Sequence, residues 1–152
     1  MSKNFSKKKF DGSSLRIVVV AARFNEDICE GLLKGALLAL QECKVPREHI
    51  TVIRVPGSFE LPLAVARALD DVDIDAAVAL SVLIKGETKH DEFLANAVTS
   101  ALQDIAVRLE KPVGYGVITA ITQEQALERA QENQDNRGYH AAYAAVEMAL
   151  LR

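Results

Sequence analysis

Nine consecutive residues, Ala76–Ile84 (Ala-Ala-Val-Ala-Leu-Ser-Val-Leu-Ile), contain one hydroxyl and no charge. A run this apolar has no face to offer water, so it reads as a strand buried on both sides. The polar hexapeptide behind it, Lys85-Gly86-Glu87-Thr88-Lys89-His90, is a loop, and from Asp91 the apolar residues recur at helical spacing. Strand, loop and helix in that order confine the chain to folds in which helices cover both faces of a parallel sheet. In open sheets of this kind, ligands collect beyond the carboxyl ends of the strands, where helix amino termini offer unpaired N–H groups and partial positive charge. Residues 85–90 stand at such an end and offer an anion seat with a titratable imidazole beside it. The plainer alternative is an ordinary loop whose Asp91 and Glu92 only complement the dipole of the helix they open.

The rest of the chain repeats the pattern. Residues 15–22 form a first strand rich in β-branched side chains. Arg23-Phe24-Asn25 is its exit, with Asn25 as helix N-cap and Ile28, Leu32, Leu33, Ala36, Leu37 and Leu40 as the apolar stripe of a helix ending before Pro46. Residues 50–55 form a second strand, stopped by Pro56-Gly57, after which Ser58 caps a helix carrying Leu61, Leu63, Ala64, Ala68 and Leu69. The helix after His90 runs to about Glu110, and residues 113–119 form a fourth strand whose Gly114 and Gly116 imply close backbone approach. Thr122-Gln123-Glu124-Gln125 reads as a capping box. After a polar break over residues 131–137, an alanine-rich helix over 139–151 has the small side chains expected of tight packing in an interface. The expected architecture is a three-layer α/β sandwich: a four-stranded parallel sheet in flavodoxin-like order 2-1-3-4, flanked by helices.

With 152 residues, one domain over 15–152 is expected, preceded by a flexible arm over 1–14. A net charge of −3 disfavours nucleic acid as partner, and Lys7-Lys8-Lys9 reads as a solvated tail. No apolar run approaches the length of a membrane span and no signal sequence opens the chain, so a cytoplasmic protein without a membrane partner is expected. Cys29 and Cys43 fall in or beside one helix, about 20 Å apart along its axis, and cannot pair with each other. Neither a disulfide framework nor a metal site is indicated.

In such a sheet all exit loops share one edge. Phe24, Ser58-Phe59-Glu60, the loop ending in His90 and Arg129 therefore converge as a ring, a hydroxyl with a carboxylate, an anion seat with an imidazole, and a cation. That set suits a polyhydroxylated heterocycle and a small phosphate ester. Taken singly each has a simpler account: Phe24 as core, Glu60 as a helix-start carboxylate, Arg129 as half of a surface ion pair with Glu128 or Glu132.

The ordered segments Arg23-Phe24-Asn25, Val55-Pro56-Gly57-Ser58-Phe59-Glu60-Leu61-Pro62, residues 82–90, residues 112–119 and residues 124–130 closely resemble the lumazine synthase family. The resemblance covers nearly everything from Leu15 onward. It implies condensation of 5-amino-6-(D-ribitylamino)uracil with 3,4-dihydroxy-2-butanone 4-phosphate, the penultimate step of riboflavin synthesis, with neither metal nor organic cofactor. By motif position, Phe24 corresponds to the ring that stacks on the pyrimidine. Ser58, Phe59 and Glu60 line the ribityl chain, and Val82, Leu83 and Ile84 present backbone groups to the heterocycle. Glu87 and Thr88 occupy phosphate-contacting positions, His90 that of the catalytic histidine and Arg129 that of the phosphate-binding arginine. Tyr115 falls where the family often has Phe, contributed by the adjacent subunit, and Arg137 where many members have Lys.

The chain departs from the family at Glu87, where a small residue is common, at Asp91, where an aromatic is common, and over residues 131–136, which replace a Gly- and Lys-containing loop. The resemblance implies a homo-oligomer with sites at subunit interfaces. A pentamer is favoured, and a sixty-subunit cage stays open. Two other functions also stay open: an archaeal-like riboflavin synthase that dismutates two lumazines, and a non-catalytic binding or storage shell. A receiver-like signalling domain is disfavoured, because the first strand's exit lacks the paired acidic residues of a magnesium site.

Overall fold

A computed structural model describes residues 10–133 and 135–151. Its four strands, β1 (Ile17–Ala22), β2 (Ile50–Val55), β3 (Ala76–Ile84) and β4 (Val113–Ala120), form one parallel sheet in the order β2-β1-β3-β4. Helices α1 (Glu26–Glu42) and α5 (Arg137–Leu150) pack together on one face; α2 (Leu61–Asp70) and α3 (His90–Leu109) cover the other. A short α4 (Gln123–Glu128) follows β4. The expected sandwich and strand order are both present.

Position in the sheet explains each strand's composition. All six residues of β1 and the first seven of β3 are buried, since both strands have neighbours on either side and helices above and below. The edge strand β2 is largely open, with Thr51, Val52 and Arg54 exposed and only Val55 fully buried. At about 1.5–3 kcal/mol for each fully buried Val, Leu or Ile, the Ile17, Val19, Val20, Val78 and Leu80 cluster supplies a large share of the driving force. Gly114 lets α5 lie directly on β4: a Cβ there would sit 2.2 Å from the Ala141 carbonyl oxygen, while one on Gly116 would meet Leu80 of β3 at 2.5 Å.

Several local expectations are corrected. Asn25 precedes α1, but its side chain makes no cap; it adopts a left-handed conformation (φ 58°), and its backbone carbonyl accepts from the N–H groups of Ile28 and Cys29. Ser58 does not cap α2, because its hydroxyl is buried and donates to Ser81 Oγ at 2.9 Å; the turn is held instead by Glu60 Oε2 accepting from Gly57 N–H. The last helix begins at Arg137 rather than Tyr139, because Asn136 Oδ1 accepts from Tyr139 N–H and caps it. Its small face, Ala141, Ala142, Ala145 and Ala149, is buried within the chain against α1 and β4, not held for another molecule. Residues 1–9 of the expected arm, Lys7-Lys8-Lys9 included, lie outside the described residues. Residues 10–14 are joined to the domain: Phe10 meets the Tyr143 ring edge-on at 5.5 Å, and Gly12 N–H donates to the Cys43 carbonyl.

Candidate active site

The carboxyl ends of all four strands lie on one edge, and two backbone bonds tie the first two exits together: Arg23 N–H to Val55 O and Phe24 N–H to Pro56 O. The left-handed Asn25 turns the chain sharply into α1 and leaves Phe24 71% exposed, which removes the reading of Phe24 as a core residue. Beneath it, Cys29 Sγ donates to the Phe24 carbonyl at 3.3 Å, and burial pushes that thiol up to about 11. Phe59, in the 3-10 turn Ser58–Glu60, is 72% exposed. Two rings therefore stand free at the exits of neighbouring strands.

β3 reaches further than β1. Ala21 pairs with Leu80, whereas β3 continues to Ile84 with only β4 beside it, Val82 against Ile118, Leu83 against Thr119 and Ile84 against Ala120. Val82, Leu83 and Ile84 thus project about 10 Å beyond the end of β1. Backbone groups facing the β1 side of this projection have no strand to pair with, which is the arrangement that presents N–H and C=O to a planar heterocycle.

Residues 85–89 leave β3, anchored by Lys85 N–H donating to Ala120 O, and lead into α3, whose first residue is His90. Thr88 Oγ1 accepts from His90 N–H at 3.3 Å, and no side chain of Lys89 caps the helix. Glu87, Thr88 and His90 are all exposed, at the amino terminus of a 20-residue helix. Across the strand ends, Arg129 follows α4, and its Nη1 donates to the Thr119 carbonyl at 2.8 Å. That contact holds the guanidinium at the end of β4 and leaves four of its five N–H donors for other acceptors. Among the described residues Arg129 forms no ion pair with Glu128 or Glu132, and the Arg137 N–H donates to the Arg129 carbonyl at 2.9 Å, placing Arg137 directly behind it. Among the described residues no cluster of His, Cys, Asp and Glu could hold a metal ion.

Phe24, Phe59, Glu60, the residues 82–84 projection, Glu87, Thr88, His90 and Arg129 thus share the edge. Ser58 is at the edge but turned inward. Tyr115 stands apart: it pairs with Ala79, five residues before the end of β4 and roughly 16 Å below the edge, and its hydroxyl contacts Thr99 Oγ1 at 2.7 Å. There it lines an open groove of about 770 Å³ between α3 and β4, with Asn96, Thr99, Ser100, Val107 and Thr119. Sequence reasoning missed Ser81 and Thr119 as supports. Ser81, the one hydroxyl in a nine-residue apolar run, was the available signal.

The sequence profile of the 6,7-dimethyl-8-ribityllumazine synthases matches residues 14–152. The chain belongs to this family. It is 45% identical to the 6,7-dimethyl-8-ribityllumazine synthase of Kocuria rhizophila over 92% of this chain and 88% of that one. It is 42% identical to the Aquifex aeolicus synthase over 94% and 93%, and 46% identical to that of Halorhodospira halophila over 90% and 87%. The match to the lumazine synthase family takes in all four strands and the five helices that flank them, up to the chain's last residues. No helix among the described residues is long and apolar enough to cross a membrane.

Proposed function

We propose that the chain catalyses the condensation of 5-amino-6-(D-ribitylamino)uracil with 3,4-dihydroxy-2-butanone 4-phosphate to 6,7-dimethyl-8-ribityllumazine, phosphate and water, as a step of riboflavin synthesis. The observation that carries this reading is the convergence, on one strand edge, of an exposed ring, a strand projection with a neighbouring strand on one side only, a helix amino terminus bearing His90, and an arginine anchored at Thr119. Phe24 stacks on the pyrimidine, and residues 82–84 hydrogen-bond its edge. Phe59 and the free oxygen of Glu60 meet the ribityl chain; Ser58 contributes through its backbone, its hydroxyl being committed to Ser81. Arg129 and the N–H groups of Glu87 and Thr88 take the phosphate, with Arg137 behind.

In the reaction the primary amine adds to the ketone, water leaves to give an imine, phosphate is eliminated, and the ribityl-bearing amine closes the ring on the new carbonyl, whose oxygen leaves as a second water. Every step moves a proton. His90, exposed at the first turn of α3, serves as acid and base in turn, a role commonly worth about 10²–10⁴-fold. Arg129 and the α3 amino terminus stabilise the departing phosphate dianion. Holding two substrates side by side supplies much of the rest.

The position of Tyr115 supports an oligomer. Its own edge lies too far away for it to reach the pocket, and α3 buries only Val98, Leu102 and Ile105 while exposing Phe93 and Val107. A ring of five chains in the cytoplasm, each groove facing the next chain's edge, brings a neighbouring subunit's Tyr115 to each pocket. Purified protein given both substrates should yield a fluorescent lumazine, and its solution mass should be five times the 16.6 kDa chain, or sixty times for a cage. Absence of product at saturating substrate removes the assignment; riboflavin formed from lumazine alone would replace it with a dismutase.

A further inference from the structure

We infer that Asn136 is a positioning residue for the Arg129 guanidinium, and this rests on the phosphate-binding role proposed for Arg129 above. Helix α4 has six residues, too few to hold an arginine rigidly by itself, and the described residues that follow Arg129, Ala130–Asn133 and Asp135, belong to no helix or strand. One buried amide ties this strap to α1. Asn136 is 1% exposed; its Nδ2 donates both hydrogens, to the Gly31 carbonyl of α1 at 3.0 Å and to the Gln131 carbonyl at 2.9 Å. Its Oδ1 accepts from Tyr139 N–H at 3.1 Å. The amide therefore joins three elements at once: α1, the strap and the start of α5.

The surface of α1 is shaped to receive it. A Cβ on Gly35 would lie 2.0 Å from Asn136 Oδ1, and one on Gly31 would lie 2.4 Å from the Ala130 carbonyl oxygen. The two glycines are one turn apart, so they open a single slot on one helix face. At the far end of the strap, Arg137 N–H returns to the Arg129 carbonyl. The backbone of Arg129 is thus tied to α1 through Asn136, while its guanidinium is tied to β4 through Thr119. Release of the amide frees the strap end and leaves Thr119 as the guanidinium's remaining anchor. An arginine displaced by about 1 Å loses the two-bond geometry that phosphate rewards.

Two variants separate this role from helix capping. Asn136→Ser keeps an oxygen to cap α5 but loses both donations, and Asn136→Asp keeps cap and size while setting a carboxylate against two carbonyl oxygens. The measurements are calorimetric binding of inorganic phosphate and KM for each substrate. Expected are a loss of phosphate affinity and a rise in KM for the phosphate ketone, each on the order of tenfold, with KM for the ribitylaminouracil within about twofold. In the Asp variant the loss eases at low pH, where a protonated carboxyl regains one donor. In an Arg129→Ala background Asn136→Ser should add nothing further. Wild-type phosphate affinity in a folded Ser variant, or equal loss for both substrates, overturns the inference. If neither variant folds, hydrogen exchange on the wild-type protein decides it: added phosphate should slow exchange at Arg137 and Tyr139, and slowing confined to residues 88–92 overturns it. A wild type that binds phosphate but makes no lumazine refutes the proposed reaction and leaves the positioning role standing; one that binds no phosphate refutes the role.

Discussion

Arg129 offers the sharpest test of how the edge handles its anionic substrate. The guanidinium spends one donor on the Thr119 carbonyl and has four left, enough for a two-bond grip on a phosphate oxygen pair. Charge-assisted bonds contribute about 1.5–3 kcal/mol each, so a grip shared with the α3 amino terminus should be worth about 3 kcal/mol. Replacing Arg129 with Ala should then lower kcat/KM for the phosphate ketone roughly 150-fold, at about 1.4 kcal/mol per decade. Arg129→Lys keeps a point charge but cannot span both Thr119 and a phosphate, so about half of that energy, a loss of roughly tenfold, is expected. The melting temperature should fall little, because the lost bond to Thr119 is on a half-buried side chain and is worth about 1 kcal/mol. Steady-state rates with each substrate varied in turn provide the assay. A kcat/KM for the phosphate ketone within twofold of wild type in Arg129→Ala, or an equal loss for the ribitylaminouracil, would refute the reasoning.

His90→Ala should lower kcat about 10²–10⁴-fold with both KM values nearly unchanged, measured by lumazine formation; an unchanged kcat removes His90 as the proton carrier. Gly138→Ala places a Cβ 1.9 Å from the Leu32 carbonyl oxygen, so α5 must move off α1; a loss of at least 2 kcal/mol in urea unfolding is expected, and none would mean the two helices separate freely. Cys29, raised to about 11 by burial, ionises in the unfolded chain before it does so in the folded one. Its contribution to stability is therefore complete below about pH 8.5 and is lost as pH rises from there toward 11, by up to roughly 3 kcal/mol; a Cys29→Ala protein should show a flatter stability profile over that window. Asn25→Gly should fold as well as wild type, whereas Asn25→Val should lose about 1 kcal/mol or more at the left-handed turn, checked by thermal melting.

The sheet, its strand order and its functional edge were legible in the sequence because burial on both faces forbids polar residues. Ala76–Ile84 and residues 17–22 could be nothing but inner strands, and alternating strands with helices leaves one handed way to connect them. Phe24, His90 and Arg129 were placed on one edge by the same logic. Side-chain commitments were not legible. Nothing local says that the Ser58 hydroxyl turns inward to Ser81, that Asn25 shapes its turn with backbone rather than side chain, or that the alanines of α5 are spent on α1. Each depends on a partner 23 or more residues away, or on a backbone angle chosen by packing; hydrophobic periodicity carries no record of either. The separation of Tyr115 from the edge is likewise a matter of register, fixed only when β4 paired Tyr115 with Ala79.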